Sequence, residues 1–247
     1  CKAIFIKQSQ TKEVITQLNS NSFFCFFLNK YMNMKKVAQL FFIFFCTVSS
    51  LYGQKPKNNF FIPYKVGFQY SHGDENNFIF NNSDYNLYSS TYKVPLYFQL
   101  SATNKIQVDL AIVPQIHSMK HQLLNIHFVR PSQENYLIKR EQYAKKKTIT
   151  FSSVEFEVIF NKQLFKNTAT FVQLGLGGGY INTETERLAK GFTFSESLSL
   201  GLSHKISNHL ELQFEMGFEH VSNLNFQFPN SGYNLLNTGL GINYILK

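Results

Sequence analysis

The sequence is short of cysteine, of charge and of long apolar runs, and each shortage closes off a class of protein. Its three cysteines, Cys1, Cys25 and Cys46, all lie in the first 46 residues. From Met34 the chain reads MKKVAQLFFIFFCTVSSLYGQ: two lysines, an apolar run from Val37 to Val48, then small and polar residues. That pattern predicts a secretory signal peptide over residues 34–53, cut near Gly53. Residues 1–33 are read as an upstream stretch and set aside. The apolar run falls short of the roughly 20 residues a transmembrane helix needs. Cys46 follows Ile-Phe-Phe, without the small residue expected before a lipoprotein cysteine. The mature chain then has no cysteine, so an exported disulfide scaffold is excluded. The remaining 18 basic and 14 acidic residues give +4 instead of the +9 of the whole chain. Most of the case for a nucleic-acid partner goes with that difference.

What the remainder has is alternation. Eight runs between residues 62 and 246 place apolar side chains at every second position, the mark of strands with two unlike faces. Leu210, Leu212, Phe214, Met216 and Phe218 share one face of the seventh run, while Glu211, Gln213, Glu215, Gly217 and Glu219 share the other. Elsewhere Glu155, Glu157, Lys65, Lys93 and Gln99 occupy the polar faces. No helical run of comparable quality competes. A two-sheet sandwich shows similar alternation, but the runs are about 9–13 residues long, the length of a tilted membrane-spanning strand. Connections near 101–105, 161–167 and 204–208 are short, and those near 71–88, 117–148, 181–191 and 223–232 are longer. Short turns on one rim and long loops on the other predict an all-β fold, an eight-stranded antiparallel transmembrane β-barrel spanning residues 54–247.

On that reading the apolar faces point outward and the charged faces fill the interior. Glu211, Glu215 and Glu219 then need partners, for which Lys65 and Lys93 are the candidates. Aromatics such as Tyr64, Tyr92, Tyr180, Phe192 and Tyr244 suit the rims of the apolar belt.

The stretch FEHVSNLNFQFPNSGYN, residues 218–234, breaks the rule. His220 and Ser222 share the outward parity of Phe214 and Phe218, and Asn234 shares that of Leu236 and Leu240. Residues i and i+2 lie roughly 6.6–7 Å apart along a strand, within reach of a leaning imidazole. Hairpin pairing sets Asn234 almost opposite Val221, close to the His220 ring. A hydroxyl, a base and an orienting group together are what ester hydrolysis requires. Ser222 is the candidate nucleophile, His220 the base and Asn234 the orienting group. Backbone N–H groups or Asn223 are the candidate oxyanion donors.

The run His220-x-Ser222-Asn223, followed by Pro229-Asn230-x-Gly232-x-Asn234 and a last strand, resembles the C-terminal signature of the PagL-type lipid A 3-O-deacylases. The resemblance extends from about Thr170, taking in Gly175, Gly177 and Phe192-x-Phe194-x-Glu196; the first four strands match as architecture alone. It implies an outer-membrane hydrolase that removes an ester-linked acyl chain from lipopolysaccharide, with lipid A in the outer leaflet as its partner. His220 takes the place of that family's histidine and Ser222 that of its nucleophile. The family's third member is a glutamate; here that place is Asn234. Glu196 shares the outward face but is expected nearer Met216 than His220, which makes it a supporting residue. Asn230 and Gly232 suit the turn by conformation alone.

No cofactor, metal or nucleotide is implied. His117, His121 and His127 straddle a strand end and a long loop, a poor metal site. Gly175-x-Gly177-Gly178-Gly179 has no following helix, so it is not a dinucleotide loop. Lys145, Lys146 and Lys147 form either a solvated loop or a counter-charge to lipopolysaccharide phosphates. Alternative functions are a non-catalytic surface barrel and a phospholipid esterase. The oligomeric state, a dimer included, is left open.

Overall fold

The computed structural model describes residues 62–77, 79–80, 83–103 and 106–246. The upstream stretch and the signal peptide lie outside the described residues. Nine strands follow in order: β1 (Lys65–Asp74), β2 (Tyr85–Lys93), β3 (Leu96–Ala102), β4 (Ile106–Leu123), β5 (Lys147–Phe165), β6 (Thr168–Ile181), β7 (Gly191–Lys205), β8 (Leu210–Ser222) and β9 (Tyr233–Ile245). β2 and β3 are two halves of one barrel strand, since both lie between β1 and β4. The break falls at Val94-Pro95, where proline offers no N–H to the ladder. Pro114 of β4 stands across the same level and accepts from Val94 N through its carbonyl at 3.0 Å. Each strand pairs antiparallel with its neighbours, and β1 returns to pair with β9 from Lys65↔Ile245 to Asp74↔Leu236. The result is a closed eight-stranded antiparallel barrel without free edges.

The two faces sort as the alternation requires. Phe68, Val154, Phe156, Leu174, Leu200, Phe214, Met216, Leu240 and Ile242 stand exposed on the outer wall. Tyr92, Tyr180, Phe192 and Tyr244 are exposed near strand ends. Tyr64 departs from this pattern. It precedes β1, turns across the barrel mouth and donates its hydroxyl to Asp109 at 2.9 Å. A phenol there satisfies an interior carboxylate, which outweighs its apolar contribution to the wall.

Inside, Lys65 Nζ lies 2.8 Å from Glu211 and Lys93 Nζ 3.4 Å from Glu215, the pairing that interior charge demands. Glu155 accepts from Gln115 at 2.7 Å and from Ser197, and Glu219 accepts from Asn237 at 2.7 Å. Gly175 makes room for this layer: a Cβ there would fall 1.9 Å from Glu155 Oε1. A cavity of about 10 Å³ beside Lys65, Tyr97 and Glu211 has room for a single water at most. Toward the long loops the interior turns apolar, with Leu87, Met119, Phe151, Leu188, Val221, Tyr233 and Leu235 buried together. These side chains leave the lumen packed.

β4 and β5 run to 18 and 19 residues, longer than the alternation alone suggests. They rise beyond the apolar belt, so His117 and His121 lie within β4 and face inward, not on a loop. His121 Nε2 is 2.9 Å from Glu186 and His117 Nδ1 is 3.0 Å from Thr91. The long connection also holds a short helix, α1 (Tyr136–Ala144), which the sequence did not announce. Its Leu137 and Ile138 are exposed, so it lacks the one-sided apolar stripe that makes a helix legible.

Candidate active site

His220 and Ser222 end β8 on its outer face, and Asn234 stands at the start of β9. The register sets Asn234 directly opposite His220, with Val221 facing Tyr233. That is one position from the sequence-based expectation. Across this pair His220 Nδ1 lies 2.8 Å from Asn234 Oδ1. An amide oxygen only accepts, so the Nδ1 nitrogen carries the proton and, in the neutral ring, the lone pair is on Nε2. The backbone of Tyr233 is a further hydrogen-bonding neighbour of the ring.

Glu196 is placed differently from expectation. It pairs directly with His220, while Met216 pairs with Leu200. The difference comes from the β7–β8 turn. Ser207 Oγ accepts the N–H groups of His209 and Leu210, at 3.2 and 3.1 Å, and Lys205 pairs with Glu211. Closing the turn there carries β7 further down and raises Glu196 to the level of the histidine. His220 therefore sits between Asn234 on one neighbouring strand and half-buried Glu196 on the other.

Although these side chains take the outer face, Ser222 is 7% and Asn234 9% exposed. The 223–232 loop next to them is held in shape by local hydrogen bonds. Asn223 Oδ1 accepts from Asn225 N at 3.1 Å, and its Nδ2 donates to the Gln227 carbonyl at 2.9 Å. Asn230 Oδ1 accepts from Asn223 N at 2.7 Å. These are the Asx contacts that favour asparagine in turns, and they hold Leu224 and Asn225 at positive φ. Asn223 and Asn230 thus brace the loop. Phe226 of the loop packs toward Phe194, ring centres 6.0 Å apart, and Phe194 meets Phe192 edge-on at 4.8 Å. Phe228 of the same loop stands 85% exposed.

Gly232 is fixed for two reasons. Its φ of +67° is a conformation side chains avoid. A Cβ at that position would lie 2.9 Å from His220 Cε1 and 2.8 Å from the Val221 carbonyl oxygen. The imidazole thus rests on bare backbone.

Among the described residues no group of three or more histidines, cysteines, aspartates or glutamates is arranged to hold a metal ion.

A family model described as lipid A 3-O-deacylase (PagL) matches residues 62–243. No curated protein matches the sequence significantly. Among solved structures, the outer membrane enzyme PagL is similar at 10% identity and a TM-score of 0.47, over 71% of this chain and 97% of that one. Neisserial surface protein A is similar at 9% identity and 0.38, over 73% and 96%. Ail, the attachment invasion locus protein of Yersinia pestis, is similar at 11% and 0.33, over 73% and 94%.

Proposed function

The chain belongs to the lipid A 3-O-deacylase (PagL) family and is a bacterial outer-membrane barrel; from that membership we propose that it hydrolyses an ester-linked acyl chain of lipid A, with Ser222 as nucleophile. The observation that carries the reading is the His220 Nδ1–Asn234 Oδ1 contact at 2.8 Å, two residues from a serine on the same face of β8. With its proton held on Nδ1, His220 takes the Ser222 hydroxyl proton on Nε2. The Oγ attacks the ester carbonyl, and the ester C–O bond breaks as the imidazolium returns the proton to the sugar oxygen. Water, deprotonated by the same histidine, then releases the fatty acid. The i, i+2 spacing of His220 and Ser222 requires the ring to lean along the strand, and such contacts tighten when substrate arrives. Asn223 follows the nucleophile directly. On this reading the oxyanion takes over the Nδ2 donor that the Gln227 carbonyl now holds.

An amide orients an imidazole as a carboxylate does, but it brings no charge to the imidazolium. Glu196, level with His220 on the other flank, is the acidic side chain from which this reading draws that charge. The outer-face position suits a substrate that is itself a lipid of the surrounding leaflet, and the chemistry needs no cofactor.

Mass spectrometry of lipid A from Gram-negative cells expressing the chain, beside the Ser222→Ala variant, tests this reading. Loss of one hydroxyacyl mass with the wild type alone is the expected result. Unchanged lipid A with a folded barrel would overturn it. Fatty acid released from phospholipid would redirect the same chemistry to a different lipid.

A further inference from the structure

The loop between β6 and β7, residues 182–190, turns back into the barrel mouth and meets the site hairpin from behind. Leu188 forms an isolated antiparallel bridge with Asn230, and Ala189 N donates to the Pro229 carbonyl at 2.9 Å. Immediately before them in the chain stands Arg187, 5% exposed. Its Nε donates to the Gly232 carbonyl at 2.8 Å, and its Nη2 lies 3.5 Å from the Ser231 carbonyl. Its own carbonyl accepts from Ser231 N at 2.6 Å and Gly232 N at 3.2 Å. One residue therefore grips both peptide groups of the two-residue segment on which the His220 imidazole rests.

The guanidinium is itself held. It lies 4.6 Å from the Tyr85 ring centre and 5.5 Å from that of Phe128, distances at which a cation is attracted to a ring face. The Glu75 carboxyl group, 1% exposed, lies close enough to interact with it electrostatically and itself accepts the backbone N–H of Asn234. An arginine so placed, buried under a loop and bonded to backbone carbonyls, needs a reason to be there, because burying a cation costs free energy unless it is paired. Loop packing alone does not supply it, since an apolar side chain would fill the space without that cost.

We propose that Arg187 is a positioning residue for the hydrolytic site: by clamping Ser231 and Gly232 it fixes the surface under His220 and so aims the imidazole between Asn234 and Ser222. This rests on the catalytic reading of His220 given above. The neighbouring contacts extend the device outward. Tyr143 of α1 donates to Glu184 at 2.6 Å and Lys147 Nζ donates to the Glu184 carbonyl at 3.0 Å, so the helical loop braces the loop that carries the arginine.

The test compares wild type with Arg187→Ala and Arg187→Lys as full-length protein refolded in detergent. Ester hydrolysis is measured on lipid A micelles, and folding by the heat-dependent shift in gel mobility. The side-chain 15N resonances of His220, assigned by their loss in His220→Ala, report ring geometry independently of turnover. For Arg187→Ala the expected result is a folded barrel, a kcat lower by about 10²-fold with KM within about twofold, and displaced His220 resonances. Lysine, which lacks the second donor and the planar fork, restores only part of the rate. Unmoved His220 resonances in a folded Arg187→Ala barrel would overturn the proposal. So would a kcat per folded molecule equal to wild type. If wild type hydrolyses no ester while Arg187→Ala still displaces the His220 resonances, the catalytic reading fails and the positioning role stands.

Discussion

Asn234 Oδ1 stands 2.8 Å from His220 Nδ1 across a single β8–β9 residue pair. The contact sets the tautomer of the ring and its rotation together. Yet it is a neutral contact where a carboxylate is expected by resemblance, and that substitution makes a direct prediction. Asn234→Ala leaves the ring unanchored and lowers kcat by on the order of 10²- to 10³-fold, as loss of an orienting group does in related constellations. Asn234→Glu adds a charge beside the developing imidazolium and raises kcat, by about tenfold for each 1.4 kcal/mol gained. Steady-state kinetics on lipid A decides it; a slower glutamate variant would mean that Glu196 already fills the electrostatic role. In that case Glu196→Gln is the damaging change.

Gly232→Ala combines two penalties. The φ of +67° disfavours any Cβ, and this Cβ would meet His220 Cε1 at 2.9 Å. Backbone strain of this kind costs about 1–3 kcal/mol, which the closed barrel can absorb. The ring cannot stay where it is. Activity is expected to fall at least tenfold while the folded band on an unheated gel persists. An alanine variant of wild-type activity would show that the ring has another resting place.

The interior pairs predict a stability effect far from the site. Lys65 and Glu211 are 7% and 6% exposed and 2.8 Å apart, with Asn243 donating to the same carboxylate at 3.1 Å. Glu211→Ala leaves the ammonium buried without its partner, which costs about 3–5 kcal/mol. A urea titration in detergent should show the midpoint shift, and Glu211→Ala with Lys65→Met together should recover part of it. Equal midpoints for wild type and the single variant would show that water reaches this layer.

Glu75, beyond the end of β1, gives a pH dependence with a definite sign. Burial pushes its carboxyl up from 4.5 to about 7, against the opposing pull of Arg187. The folded protein therefore binds this proton more tightly than the unfolded chain. Its contribution to stability is fully present below about pH 4.5 and is lost as the pH rises through about 7, a change on the order of 3 kcal/mol. Relative to Glu75→Gln, the wild type should lose stability between pH 5 and pH 8. Unfolding midpoints that run parallel over that interval would refute the assignment.

Much of this was legible in the sequence because β-strand parity is rigid. Counting by twos put His220, Ser222 and Asn234 on the same strand faces as Phe214 and Leu236, and gave the inward position of the glutamates that Lys65 and Lys93 meet. Parity says nothing of register, which turns determine. The Ser207 hydroxyl that closes the β7–β8 turn moved Glu196 from the level of Met216 to that of His220, and no periodicity signals such a bond. Tyr64 was misjudged because a residue just before a strand is free to follow its hydroxyl. Arg187 was invisible because loops have no period. A single arginine in TETERLAK acquires meaning only when the loop is seen folding back onto Ser231 and Gly232.

The packed lumen has a kinetic consequence. Among the described residues the interior is filled, so on the proposed reading enzyme and lipid substrate meet by diffusion within one leaflet, and their encounter rate follows areal density, not bulk molarity. Diluting the substrate with inert lipid at constant total concentration should slow the reaction, whereas adding buffer should not.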